Sequence, residues 1–356
     1  MQTPTKTKAG IIGFALSFYL LLQLLANFPN FVEKYYSTGL YPLIASAMSN
    51  FSSQFPFSLS EFTLWVLILF GIPFTVNRMK KKRLTLPRLA LNLLTGAAIV
   101  YIWFYLFWGI NYLRTPLQTT LHLDKVQLPL DAYDSTFVDI IKAANQLNLN
   151  YSMMEVERIN ADIEKAYAET FAELGLHPPH ANPAVKSFAG NWLLNKLTTN
   201  GWFSPFFNEV HYNRDVLIFE LPFVIAHEKA HQLGYTNEAE ANFLAHLVCT
   251  RCEEPLIRYS GYFSLITYFM GNVRQDKERR HFFAEKISER VRLDLAAVRD
   301  RWEHNRGILS RISSRGYDLY LKANQVKEGL RSYSRVVDLV IRYTQSHKPP
   351  EGTDLH

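Results

Sequence analysis

Three stretches of this chain carry no charged residue and are strongly apolar, and they restrict its fold more than any other feature. They run from Ala9 to Val32, from Phe62 to Asn77 and from Leu89 to Leu113. A helix needs about 20 apolar residues to cross about 30 Å of hydrocarbon. The first and third stretches meet that length, and the second falls short of it. The expected fold class is therefore a mainly α membrane protein. About three transmembrane helices, near 9–32, 62–77 and 89–113, occupy residues 1–113, and a helix-rich domain with a small β element follows over 114–345. Residues 346–356 read as a flexible tail.

Charge orients the spans. The chain has 38 basic and 32 acidic residues, an excess that could suggest a nucleic-acid partner. The excess belongs to the first 113 residues, however, and the remainder is nearly balanced, so no nucleic-acid partner is expected. Between the second and third stretches lies NRMKKKRLTLPR, whose Arg78, Lys80, Lys81, Lys82, Arg83 and Arg88 are accompanied by no acid. Short basic loops stay in the cytoplasm, and Lys6 and Lys8 mark the N-terminus in the same way. The chain is expected to start inside, leave, return through the second span and leave again, placing everything after about Arg114 outside the cytoplasm. A cleaved signal peptide is an alternative for the first run, although its length and the lack of an A-x-A site argue against it. The basic loop could also touch acidic lipid head groups. Residues 35–60 are free of charge but rich in Ser, Pro and Tyr, which predicts an amphipathic segment at the outer interface.

Beyond the third span the periodicity changes. Between Asp131 and Leu174 two helices are predicted, the second carrying Met154, Val156, Ile159, Ile163, Tyr167 and Phe171 at three-to-four spacing on one buried face. HPPHANP, His177 to Pro183, interrupts the helical pattern. GWFSPFFNEVHYNRDVLIF then has strand character, with Glu209, His211 and Asn213 alternating. From His281 onward a long amphipathic helix is expected. Two cysteines are too few for a disulfide scaffold.

The chemistry concentrates at VIAHEKAHQLGYTNEAEANFLAHLVC. HEKAH is an H-E-x-x-H motif of His227, Glu228 and His231. Residues four apart share a helix face, so both imidazoles can reach one metal, and imidazole nitrogen suits Zn2+. Glu228 can face the open coordination position and take a proton from water that the metal acidifies. At this composition about 0.02 such motifs per chain arise by chance, and the context adds weight. An apolar run leads into the motif, and Gly234 stands where a helix C-cap belongs.

A third ligand must come from further on. The metzincin position is Asn237, a poor zinc ligand, which leaves Glu238 and Glu240 in the next helix. Glu238 shares a face with Asn242 and Ala245. Glu240 stands three after Asn237, where a capping glutamate belongs. Glu238 is the preferred ligand and Glu240 the alternative, with Asn242 placed to orient a ligand.

Glu-x-x-x-Asn before an apolar helix resembles the gluzincin signature. The whole chain is similar to bacterial multi-pass membrane proteins of the domain of unknown function 3810 family. WGINYLRTP, GWFSPFFNEVHYN, AHEKAHQLGYTNEAEANFLAHLVC and YLKANQVKEGLRSYSRVVDL carry the likeness. It implies a zinc-dependent hydrolase, a peptidase, and leaves the substrate open. Tyr333, as the group that polarises a substrate carbonyl or steadies an oxyanion, rests mostly on the resemblance.

Cys249 and Cys252 form a C-x-x-C inside a helical pattern and read as buried thiols or a disulfide. His246 reads as a core residue, and His211 as a cross-strand residue or part of the cleft. The expected function is a membrane-anchored zinc metallopeptidase acting on a peptide or protein substrate, with lipid bilayer around its spans. Gly201–Asn213 could pair with an extended substrate. Two rivals are a non-catalytic zinc-binding scaffold and an intramembrane protease. The second is disfavoured because Val216–Ala226 covers only about 16 Å. Reporter fusions at Lys82 and after Arg114 should give opposite sidedness signals, and a cytoplasmic signal after Arg114 would overturn the topology.

Overall fold

The computed structural model describes residues 5–82, 84–147, 151–178, 185–312 and 333–347, with the side chains of 333 and 334 excepted. The chain is mainly helical with one small sheet. Three helices are long and apolar enough to cross a membrane: α1 (Thr5–Leu25), α3 (Leu59–Lys80) and α4 (Leu86–Phe107). Between the first two lies α2 (Tyr41–Ser53). Helices α5 (Ala132–Leu147) and α6 (Val156–Glu173) precede a sheet of β1 (Lys186–Ser187), β2 (Gly201–Ser204) and β3 (Glu209–Tyr212), with α7 (Asn191–Leu197) between its first two strands. Then follow α8 (Leu221–Gln232), α9 (Glu238–Arg251), α10 (Pro255–Asn272), α11 (Lys277–Lys286), α12 (Glu289–Asn305) and α13 (Tyr333–Ser346).

The boundaries of the apolar helices differ from the apolar runs for identifiable reasons. α1 ends at Leu25, where the chain turns before Pro29 opens a short helix. α4 ends at Phe107, and Gly109–Leu113 is a 3-10 turn rather than more span. The second helix is longer than its uncharged run, because Glu61 belongs inside it. Ser58 caps it, its hydroxyl accepting from the Glu61 N–H at 3.0 Å. The buried Glu61 carboxylate accepts from the Ala189 and Gly190 N–H groups, both at 2.7 Å. A charge so paired does not terminate a buried helix end. A π-helical turn at Leu67–Gly71 lies midway along α3.

The remaining expectations divide similarly. Two helices form between Asp131 and Leu174, and Ile159, Ile163, Tyr167 and Phe171 are buried as their spacing predicts. The helix expected from His281 is broken instead at Ile287–Ser288, where Ser288 accepts from the Val291 N–H and starts α12. Residues 179–184 of the predicted break, and the tail from 348, lie outside the described residues.

The strand order is β1-β3-β2, with β1 parallel and β2 antiparallel to β3. Glu209 of β3 is buried and ties the sheet to α3. It accepts from the N–H groups of Leu59 and Ser60, both at 3.0 Å, from the Ser60 hydroxyl at 2.7 Å and from Lys186 at 2.7 Å. Unpaired N–H groups and the helix dipole make a helix N-terminus a site for negative charge. Burial raises the Glu209 pKa, but the bonds from His211, Lys186, Ser60 and Leu59 outweigh it and hold the carboxyl well below the usual range. His211 completes the joint, its Nε2 lying 2.8 Å from the Ser58 hydroxyl and its Nδ1 3.1 Å from the Trp202 carbonyl.

The main core gathers α5, α6, α8, α9, α10 and α13. A second core joins Phe18 and Leu22 of α1 and Tyr41 of α2 to Trp108, Phe203 and Val210, so packing crosses residue 113. Glu209→Ala removes the counter-charge of Lys186, which keeps the Ser52 and Phe57 carbonyls, and the acceptor of the Leu59 and Ser60 N–H groups. It is expected to cost about 3–5 kcal/mol, the range for removing one partner of a buried ion pair, in denaturant titrations of detergent-solubilised protein.

Candidate metal centre

α8 carries HEKAH and α9 carries the acids. Pro222 sits in the first turn of α8, where its missing N–H costs nothing. Glu220, just before it, pairs with Arg301 of α12 at 3.0 Å. The turn to α9 needs Gly234, whose φ is +86° and whose added Cβ would meet the Asn111 side chain at 3.1 Å. Asn237 then caps α9, its side-chain oxygen accepting from Ala239 at 2.9 Å and Glu240 at 3.4 Å.

This geometry brings three donor atoms together. His227 Nε2 and His231 Nε2 are 3.1 Å apart, Glu238 Oε2 lies 3.3 Å from the first and Glu238 Oε1 3.3 Å from the second. Donors bound tetrahedrally to zinc at about 2.0–2.1 Å stand about 3.3–3.4 Å apart. Each of these pairwise distances is close to that separation, with Glu238 offering a different oxygen to each imidazole. The His231 Nδ1 lies 2.8 Å from the Tyr235 carbonyl. Nδ1 must donate there, which leaves the Nε2 lone pair for a metal. Among the described residues these three form the group of His, Cys, Asp and Glu side chains able to share an ion.

Charge coupling runs through the cluster. Burial opposes a proton on His231, but Glu238, Glu228 and the Tyr235 carbonyl outweigh it and push the pKa up to about 9. Burial likewise opposes the Glu238 charge, and the two histidines hold that carboxyl well below its ordinary value. Glu228 behaves differently. Burial lifts its pKa, with His227 and His231 pulling against the rise.

Glu228 lies against β2. Its carboxylate accepts from the Phe203 backbone N–H. A Cβ on Gly201 would stand 2.7 Å from Val224 Cγ1 and 2.8 Å from Glu228 Cγ, so only glycine lets strand and helix approach this closely.

Glu240 is turned elsewhere. It accepts from the Leu117 N–H at 2.7 Å, and burial pushes its pKa up to about 7. Asn242 shares the Glu238 face, yet its Oδ1 accepts from Tyr268 at 3.0 Å while its buried Nδ2 has no partner among the described residues. His246 is a core residue whose Nδ1 lies 3.2 Å from the Gly261 carbonyl, and burial lowers its pKa to about 4. Cys249 and Cys252 are free buried thiols, both raised in pKa by burial. His211 joins sheet to α3 and is not part of the donor cluster. Tyr333 opens α13, and its side chain lies outside the described residues.

Several supporting residues carry no motif of their own. Trp108 donates from Nε1 to the His231 carbonyl at 2.8 Å, and Tyr41 donates to the Gln232 carbonyl at 2.6 Å. Arg114 donates to the Gly234 carbonyl at 3.2 Å, pairs with Glu33 at 2.7 Å, and stacks 4.1 Å above the Tyr235 ring. Of these carbonyls, that of His231 also accepts from the Gly234 N–H at 3.0 Å, so Trp108 adds a second donor there, while Tyr41 and Arg114 bind the carbonyls of the last α8 residue and of the turn that follows. Lys229, on another face of α8, is buried and paired with Glu164.

The fold and site define a mainly helical protein with three long apolar helices and a buried His–His–Glu cluster beside a small sheet. Residues 36–341 match the family described as protein of unknown function (DUF3810), and the chain belongs to that family. No match was found among curated proteins or among solved structures.

Glu238→Gln should sharply lower the zinc content of purified protein. Glu240→Gln, whose amide oxygen can still accept from Leu117, should retain it. Elemental analysis of both variants decides the assignment, and equal loss in the two would move the third ligand.

Proposed function

We propose that this chain is a multi-pass membrane zinc metallopeptidase, with His227, His231 and Glu238 holding the metal on the extracytoplasmic side. The observation that carries the reading is the convergence of His227, His231 and Glu238, with Nε2 atoms 3.1 Å apart and one carboxylate oxygen 3.3 Å from each, beside the buried Glu228 carboxylate on the helix of the two histidines. A zinc ion supplies Lewis acidity, which polarises a carbonyl and acidifies water.

The chain's own groups supply the rest. Glu228 is the base that takes the proton of the attacking water and delivers it to the leaving amine. The Phe203 N–H steadies the carboxylate, and Gly201 permits that contact. β2 is an edge strand beside this base, so an extended peptide adding to the part of that edge not occupied by α8 would lie along the site.

The basic loop after α3 and the three helices long and apolar enough to cross a membrane support the multi-pass reading. The scaffold reading lacks a closed four-ligand set among the described residues. The intramembrane reading requires HEKAH on a spanning helix, whereas α8 has 12 residues and buries the charged Lys229.

Zinc analysis paired with a peptide-library digest tests the reading. His227→Ala and His231→Ala should lose zinc and hydrolysis together. Glu228→Gln should keep zinc and lose hydrolysis by about 2–4 orders of magnitude, the usual contribution of a positioned base. Full activity in Glu228→Gln would end the base assignment. Gly201→Ala should also keep zinc while slowing turnover, because the added methyl displaces Glu228.

A further inference from the structure

We infer that the substrate is a membrane-anchored polypeptide, cut a few residues outside its own span at the depth of the lipid head groups. This rests on the peptidase reading above and adds the substrate class.

Three membrane-boundary segments converge on the site. The first is Trp108, directly after α4. Its Nε1 is 2.8 Å from the His231 carbonyl, and its ring centre lies 6.5 Å from the His231 imidazole. The second is the start of α3. Ser60 bonds Ser204 at 2.7 Å, and Ser204 adjoins Phe203, whose N–H holds Glu228. The third is α2, where Tyr41 reaches the Gln232 carbonyl at 2.6 Å. The segments around α2 expose Phe31, Tyr35, Phe51 and Phe57 at 54, 56, 54 and 46%. Tyr35 fits the Tyr and Trp belt of a membrane interface, and the three exposed Phe rings add apolar surface beside it. The α3 and α4 contacts come from the ends of those helices opposite the basic Arg78–Arg88 loop, so they lie on one side of the bilayer.

These contacts fix the height of the site. Trp108 follows the last residue of α4 and already reaches a proposed metal ligand. The donor cluster therefore stands within about 10 Å of the hydrocarbon edge, and the head-group layer is itself about 5–8 Å deep. A soluble chain would have to enter that layer, whereas a chain leaving its own span is already in it. An extended chain advances about 3.3 Å per residue. A straight path of about 10 Å takes about three residues and an oblique one about twice that, so the scissile bond should lie about three to six residues from the substrate's span.

The full chain in phospholipid vesicles provides two readouts. For depth, Phe206→Cys in the β2–β3 turn is labelled with an environment-sensitive fluorophore; Cys249 and Cys252 are buried. Lipids with a nitroxide on the head group should quench it, and quenching by aqueous iodide alone would overturn the inference. For substrate class, a randomised segment is joined, in both orientations, to an apolar span of about 20 residues, and the same segment is placed on a soluble carrier. Cleavage is mapped by mass spectrometry with Glu228→Gln as background. The anchored library should be cut about tenfold faster or more, as confinement raises effective concentration, with cuts within about six residues of the span. Equal rates, or cutting of the soluble library alone, would overturn the substrate class and leave the peptidase reading standing. Zinc-loaded protein that cuts neither library would overturn both.

Discussion

The carbonyls at the C-terminal end of the HEKAH helix are the point on which the site depends. A helix ends with carbonyls that have no internal partner, and burying them unpaired costs about 1–3 kcal/mol each. Here Tyr41 takes the carbonyl of Gln232, the last residue of the helix, Trp108 joins the Gly234 N–H on the His231 carbonyl, and Arg114 takes the Gly234 carbonyl in the turn beyond. All three donors come from the part of the chain that also holds the apolar helices. Arg114 adds a positive charge where the helix dipole is negative. The Tyr235 ring beneath Arg114 and the Tyr235 carbonyl on His231 Nδ1 belong to one residue. The orientation of a proposed metal ligand is therefore set partly by residues more than a hundred positions earlier.

A second joint acts on the other side of the site. Glu209 and His211 of β3 grip the start of α3, and β2, paired to β3, holds Glu228 through Phe203. The sheet is small, yet it links an apolar helix to the proposed base through two residues of strand. Gly201 is what allows it to lie so close to α8. Donors and base thus rest on different supports: His231 on α4 and α2, Glu228 on the sheet and α3.

Much of this organisation was legible in order but not in contact. The apolar runs, the helices between Asp131 and Leu174 and the HEKAH helix follow from charge, period and spacing, which are local properties. The reading of Glu238 over Glu240 used helix periodicity from an Asn237 cap, and the structure turns Glu238 to the histidines and Glu240 to Leu117. Span ends were misjudged where a charge finds a distant partner. Glu61 seemed to end the second run because its partners, Ala189 and Gly190, lie far along the chain. Asn242 shared the right face, but its bond to Tyr268 depends on where α10 packs.

WGINYLRTP reads in the sequence only as the end of the third span, and GWFSPFFNEVHYN as a strand-like segment able to pair with a substrate, and neither reading touches the support of the HEKAH helix. Trp108, Arg114, Gly201 and Phe203 act through backbone carbonyls, one N–H and a missing methyl, and such contacts leave no spacing to detect. What the sequence alone determined was the pattern that local physics writes: uncharged apolar length, basic flanking loops, and two imidazoles one helical turn apart with a carboxylate between. Only the tertiary structure decided which second-helix acid meets those imidazoles, which groups close the end of their helix, and how near the cluster lies to the apolar helices. Those outcomes depend on hydrogen bonds and close approaches between residues far apart in the chain, and they exist only once the chain has packed.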